Sequence, residues 1–452
     1  MSRLIVLIAL FATATLTRVC GAEKEVVLFS YFTLSEGGIE RMVIDTTTGE
    51  LLERGSIYND PAAILIQQLQ LTEQQDYVVG IHPRDEDPCV VIVDLRTPDY
   101  PARRIAFPAR PDGHAVLDHH TYVADNSGVI SKIELTTATI VDRLDLRNST
   151  EPKGHQPDQI TVLPDKKHLA VVIGDDGPSH QRRGSRVAIL SQDLEIVHDV
   201  LLPLDHPELH FTNEGGRQRG PVPRRLLANE PINRAALVLE LYGSVLLCDL
   251  DALVQHGRLE NVVSLSTHKD GQFGQTFPGW ARWLSFEDKT YLLVSNSSEE
   301  GGVCLIDPIA GTIVDHAETG KGQLFPPHIL SDGTSLLATR DGVTRRRGET
   351  QVEAEHVELK ELVRLSFQVE NRQLNAEIIP FSKHPYELYP LGGKDRFLTL
   401  LMEEQGAQKV LTHGIWDQTE RRMLWEIPSP GVYRNAVTLR GPGAGPYQSP
   451  GP

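Results

Sequence analysis

Apolar residues along this chain fall in short runs of about four to seven, rich in Val, Ile, Leu and Tyr. Each run is closed by Gly, Asp, Asn or Pro, residues that supply turn geometry. Runs so short and so β-branched predict strands joined by tight turns. Two stretches, PAAILIQQLQLTEQQ (61–75) and AEHVELKELVRL (354–365), can be drawn as short helices, and both also fit strand or irregular structure.

The runs repeat as a unit of four strands, with polar turns between them and an Asp near the end of the third. The unit reads DQITVLPDKKHLAVVIGDD…SRVAILSQDLEIVHDVLL from Asp158, then RRLLANEPINRAALVLELYGSVLLCDLD from Arg224. It returns as ARWLSFEDKTYLLVSNSSEEGGVCLIDPIAGTIVDHA from Ala281, with weaker copies near Ala62, His114, His328 and Tyr386. A period of roughly 45–65 residues is that of propeller blades. Residues 25–57 add three strands that lack a first one, and VYRNAVTL near the C-terminus can supply it. The expected architecture is therefore all-β: one β-propeller over residues 23–440, of eight four-stranded blades, with strands from the two termini sharing a blade. Seven blades is the alternative count if one weak copy is an insertion. Closing the ring removes the free sheet edge. The loop 342–358 contains TRRRGE, read as a solvated charge run, and the Pro/Gly-rich tail 441–452 is expected to be disordered.

The chain opens with Arg3, the apolar run LIVLIALFATATL and the small-residue stretch before Glu23. That order predicts a signal peptide over residues 1–22 and a secreted or periplasmic product. A lipid anchor on Cys20 is the alternative, against which Arg18 and Val19 stand where small residues belong. No apolar stretch is long enough to span a membrane comfortably. Loss of Arg3 and Arg18 with the signal reduces 44 Lys and Arg to 42 against 61 Asp and Glu, a balance of −19. So acidic a surface repels phosphate backbones and excludes nucleic acid as the expected partner. Cys89, Cys248 and Cys304 sit in apolar runs and read as core filler.

Aligning the units places His114, Asp158, Arg224 and Tyr386 where first strands begin, while Glu240 and Arg340 close second strands with Ser297 between them. First strands line the central channel, so these side chains would ring one mouth. Arg grips a carboxylate through its planar fork, and the ring reads as a site for a small anionic or sugar-acid ligand. Equally, Arg224 and Glu240 could form an ion pair that plugs a narrow channel. Neither DHH (118–120) nor DHPELH (205–210) has a metal-site spacing, TGKGQ (319–323) lacks the phosphate-loop pattern, and no haem or nucleophile-elbow motif occurs. No metal and no cofactor is expected.

The opening LFSYFTLSEGGIERMVIDTTTGELLERGSI resembles that of the lactonase-type propellers, the family of 6-phosphogluconolactonases and carboxymuconate-lactonising propellers. Their openings carry a GTYT-like strand, then GIYVY, then TGxL. Arg224 and Glu240 match that family's arginine and glutamate with the same separation, and the similarity extends to about residue 345. Two other family positions differ. The chain reads HQPDQI where a histidine is usual, which puts Asp158 in its place and His155 three residues away, and Ser297 stands where an arginine follows SN. The family has seven blades, so the unit from Tyr386 is additional. The resemblance implies lactone hydrolysis, with Glu240 as general base and Arg224 stabilising the oxyanion; Arg340, His114, Asp158 and Tyr386 are the substrate-binding candidates. The competing reading is a non-catalytic propeller, monomeric, that presents a rigid surface to an extracytoplasmic protein or glycan.

Overall fold

The computed structural model describes residues 24–439, apart from 33–36, 61–65, 149–155, 175–184, 203–210, 213–217, 220–222, 274, 299–300, 341, 348–351, 357–358, 393–394 and 406–407. The signal-like segment 1–22, the tail 441–452 and His155 lie outside the described residues.

Eight four-stranded antiparallel sheets follow one another around a closed ring. Blade 1 is built from both ends of the chain: Val432–Leu439 pairs with Lys24–Phe32, which pairs with Gly37–Asp45 and then Leu51–Asp60. The remaining blades begin at Gln67, Pro111, Gln156, Pro223, Pro278, His328 and His384, each running from the first, innermost strand outward. The eighth unit from Tyr386 is thus a full blade. A hairpin, Val343–Arg347 with Val352–His356, is inserted between the second and third strands of blade 7. Both segments drawn as possible helices contain strands, Gln67–Leu71 in one and Val352–His356 with Glu361–Gln368 in the other. The α-helix among the described residues is Leu250–His256, stopped by Gly257 in the left-handed conformation.

Closure is visible in the core, where eight apolar clusters each fill the space between neighbouring blades. Blade 5 shows how. On Arg234–Leu239, Ala235, Leu237 and Leu239 face blade 4, while Ala236 and Val238 face blade 6. A strand covered on both faces has no solvent side, so it reads as a continuous apolar run rather than an alternation. Cys248 and Cys304 belong to these clusters and Cys89 to that between blades 1 and 2, all three buried free thiols.

The recurring Asp has a structural task. Asp45 Oδ1 accepts the amides of Thr47 and Thr48 (2.8 and 3.0 Å), and Asp307 Oδ1 those of Ile309 and Ala310 (3.1 and 2.9 Å). Such turns satisfy amides that the ladder leaves over. Side chains also cross from blade to blade along the inner ring. Gln70 Nε2 donates to the His114 carbonyl (2.8 Å), Arg282 to that of Pro327 (2.5 Å), and the His328 ring bonds that of Leu388 (2.8 Å).

Candidate functional site: a charged channel mouth

In five blades the innermost strand has a proline as its first or second residue, followed by a bulge. The ladder registers Pro111, Pro157, Pro223, Pro278 and Pro385 and then skips one residue: Asp112, Asp158, Arg224, Gly279 and Tyr386. Proline suits the first residue of a strand because it has no N–H to place in the ladder, and a bulge re-aims the residue it frees. The skipped residues therefore form one tier at one end of the inner ring. Asp158, Arg224 and Tyr386 occupy it as their alignment implies. The third-blade member is Asp112, not His114, which lies two residues further along its strand.

Arg224 and Glu240 meet. Arg224 lies at the start of Pro223–Asn229, and Glu240 directly follows the neighbouring strand Arg234–Leu239. Pro223 pairs with Leu239, so antiparallel registration brings the two ends together. Glu240 opens a 3-10 turn that closes on Gly243, whose φ is +59°. The turn is pressed against Thr276, so a side chain at Gly243 would strike that residue's hydroxyl and backbone.

Around that contact stands an alternating array of charge. Arg224 Nε donates to Glu240 Oε2 at 2.5 Å, and its Nη1 donates to both oxygens of Asp158, each at 2.8 Å. Arg345, from the blade 7 hairpin, pairs with the other oxygen of Glu240. Glu240 is buried, whereas the side chains of Arg224 and Arg345 are 46% and 34% exposed. Arg225 lies beside Asp158; burial brings its guanidinium down to about 10, while Asp158 favours its charge and Arg224 opposes it. Burial and then the nearby Arg224 lower Arg345 in the same way. Asp112 bonds Arg110 (2.9 Å), yet burial and the adjacent Asp158 carry its carboxyl above the ordinary range against that pull.

The hairpin that delivers Arg345 rests on Ser297. Ser297 Oγ donates to the Val343 carbonyl (2.7 Å), and the Arg345 amide donates to the Ser297 carbonyl (3.0 Å). TRRRGE is thus not wholly a solvated charge run: Arg345 within it is partly buried and paired across two blades. Sequence reasoning missed Arg345 because the insertion has no counterpart in the other units. It also missed Asp112, although the Pro–X step recurs plainly in PDG, PDQ, PRR, PGW and PYE.

Arg340, His114 and Tyr386 each have partners within the protein. Arg340 is buried, with its guanidinium brought down to about 10, donates to the carbonyls of Thr319 (2.5 Å) and Lys321 (2.7 Å), and pairs with Glu361. These bonds tie the blade 6–7 connection to the third strand of blade 7. The buried ring of His114 bonds the Gln68 carbonyl and Thr121 Oγ1, and burial pushes it down to about 4. It acts as an interblade staple. Tyr386 packs its ring against Phe325 (6.3 Å) and edge-on to His384 (5.6 Å). Among the described residues, no three His, Cys, Asp or Glu side chains converge as a metal site.

No protein-family model matches the chain, and no curated protein sequence matches it significantly. Solved structures do. A structure of NirN, a dihydro-heme d1 dehydrogenase in complex with DHE, superposes with a TM-score of 0.62 at 10% identity, over 91% of this chain and 74% of that one. The C-terminal WD40 domain of Sif2 gives 0.54 at 11% identity, over 86% and 92%. A candidate 6-phosphogluconolactonase from Bacteroides uniformis gives 0.50 at 16% identity, over 79% and 97%. At these identities the likeness is one of fold, and the fold is the β-propeller that this chain shares with all three.

Proposed function

We propose that this protein is an exported propeller that binds a small sugar acid or lactone at its channel mouth, with Arg224 and Arg345 as the anion-gripping pair. One observation carries the reading: two partly exposed guanidiniums from different blades converge on a single buried carboxylate. Left alone they would repel each other, and Glu240 holds them at a fixed separation before any ligand arrives. Their exposed edges are then ready for a carboxylate or a polarised carbonyl, which Arg binds in a planar fork.

Lactone hydrolysis is the turnover that the fold's lactonase-type relatives suggest, with Arg224 facing the developing oxyanion. In that reaction Glu240 acts as a positioning residue. Both of its oxygens already accept guanidinium hydrogens, which makes it a poor acceptor for a proton from water. Asp112, whose carboxyl burial carries above its ordinary range, is the mouth carboxylate better suited to proton transfer. The saturation of Glu240 favours binding over rapid turnover.

A panel of aldonates, uronates and their lactones, read by thermal shift and by hydrolysis, tests this. At least one member should raise the melting temperature of the parent protein, and Arg224→Met and Arg345→Met should each remove that shift. A parent protein indifferent to the whole panel, or a shift that survives both substitutions, overturns the proposal.

A further inference from the structure

Of the five residues skipped by the ladder at the mouth, Gly279 in blade 6 brings no side chain, and Gln323 stands in its place. Gln323 lies on the connection from blade 6 to blade 7 and lays its terminal amide so close to Gly279 that a Cβ there would collide with it. Its oxygen accepts two backbone amides at once, those of Gly279 (3.1 Å) and Trp280 (3.2 Å). The reverse orientation would set an NH2 group against two N–H donors, so the oxygen is the atom that faces them.

Two successive amides that meet one oxygen make an acceptor site. An innermost strand uses one edge for its ladder and turns the other toward the channel, and the bulge at Gly279 re-aims the backbone there. Paired N–H donors fit an oxygen that carries negative charge and no hydrogen of its own: one oxygen of a carboxylate, or the carbonyl oxygen of a lactone. Solvent reaches the place, since Gly279 and Gln323 are both half-buried. It also adjoins the arginine array. The turn Glu240–Tyr242 packs against Pro278–Phe286, and Gly243 at its end is pressed on Thr276, two residues before Pro278. The backbone around Gln323 is pinned on both sides. Arg340 Nη1 donates to the Lys321 carbonyl (2.7 Å), and Trp280 Nε1 donates to that of Leu324. Withdrawal of the oxygen therefore needs only rotation of a long side chain.

We infer that the Gly279 and Trp280 amides form an oxygen-binding pocket of the mouth, that Gln323 Oε1 occupies it as an internal stand-in, and that one oxygen of a bound sugar acid or lactone displaces it. The pocket belongs to the mouth-binding function proposed above and rests on that reading. Ligand and Gln323 compete for the same two donors, so the affinity of the parent protein is lowered by the fraction of molecules in which the pocket is closed.

Two substitutions that both dislodge Gln323 test this. Gln323→Ala leaves the pocket empty, whereas Gly279→Ala keeps both N–H groups and fills the pocket with a methyl group. The aldonates and uronates, and separately their lactones, are titrated into the full chain by calorimetry, with the backbone amides of residues 279 and 280 followed by NMR. Gln323→Ala should tighten at least one of them by about fivefold or more, the gain expected when the pocket is open in about a fifth of parent molecules or fewer. The same compound should shift both amide resonances, and Gly279→Ala should gain nothing. If the parent binds through Arg224 and Arg345 but Gln323→Ala binds no more tightly, or Gly279→Ala gains as much, the pocket is overturned and the mouth reading stands. Tighter binding by Gln323→Ala that shifts both amides and survives Arg224→Met and Arg345→Met overturns the mouth reading and leaves the pocket. Binding of no compound by the parent or by Gln323→Ala overturns both.

Discussion

Replacing Glu240 by glutamine keeps the shape of the side chain and removes the charge that holds two arginines together. Breaking a fully buried pair from one side costs roughly 3–5 kcal/mol. Here the stranded partners retain water contact over 46% and 34% of their side chains. Each can rehydrate where it stands, which reduces the cost to about 1–3 kcal/mol. Unfolding entropy of about 2 cal/mol/K per residue, over roughly 400 residues, amounts to about 0.8 kcal/mol/K. The melting temperature should therefore fall by about 1–4 °C. Arg224→Met perturbs the same array from its wet side. Glu240 keeps Arg345, Asp158 is already partly hydrated, and the cost should stay below about 1 kcal/mol. Calorimetric melting of both variants and the double mutant measures the asymmetry, and the double should lose less than the sum because the partners are coupled. An Arg224→Met variant less stable than Glu240→Gln, or a Glu240→Gln variant as stable as the parent, would show that Glu240 is not the buried keystone described here.

Three further outcomes follow from the packing. The buried rings of His114 and His328, pushed by burial down to about 4 and about 3, stay neutral in the folded chain, as does His413. Unfolded, each takes up a proton near pH 6.5, so stability should hold above about pH 7 and decline steadily between about 6.5 and 4; a melting temperature constant down to pH 5 refutes this. At lower pH Asp417 takes over. Burial raises its carboxyl, but the Glu420 amide and Arg396 outweigh burial and leave it below the usual range. Its contribution is present above about pH 4 and lost as pH falls further, and Asp417→Asn should flatten that limb of a melting-versus-pH curve. Asp199→Ala should destabilise by roughly 3–5 kcal/mol, read by denaturant unfolding, because the Arg186 guanidinium it pairs with is fully buried in blade 4.

The propeller was legible in the sequence because each blade carries its own local instructions. Apolar runs such as RAALVL state that both faces are covered, and Asp at strand ends states where the chain turns. Even the split blade showed, as three strands wanting a fourth. The mouth was legible only where it follows the repeat. Arg224 and Glu240 flank one hairpin, so their meeting is a local consequence of register. His114 was aligned by the start of an apolar run, whereas the geometry is set by the proline two positions past Ala109, and that moves the tier to Asp112. Arg345 reaches Glu240 from an insertion two blades away, a contact fixed by tertiary packing with no local signature. The helix Leu250–His256 was hidden because its seven residues merge with the strand before it, and only Gly257 marks its end.

The strand Val432–Leu439 has a consequence for how the molecule comes into being. Every other blade is completed by residues adjacent in sequence and can form as the chain emerges. Blade 1 waits for a partner made about 400 residues after Lys24–Phe32, and joining ends so far apart carries an entropic cost of about 5 kcal/mol. At synthesis rates of about 5–20 residues per second, that edge stands unpaired for tens of seconds. For this interval the nascent molecule is an open arc whose first strand offers bare amides and carbonyls to any neighbouring chain. The last-made strand of the ring is thus the one that converts an adhesive intermediate into a sealed product, and a chain cut short before Val432 would keep the adhesive form.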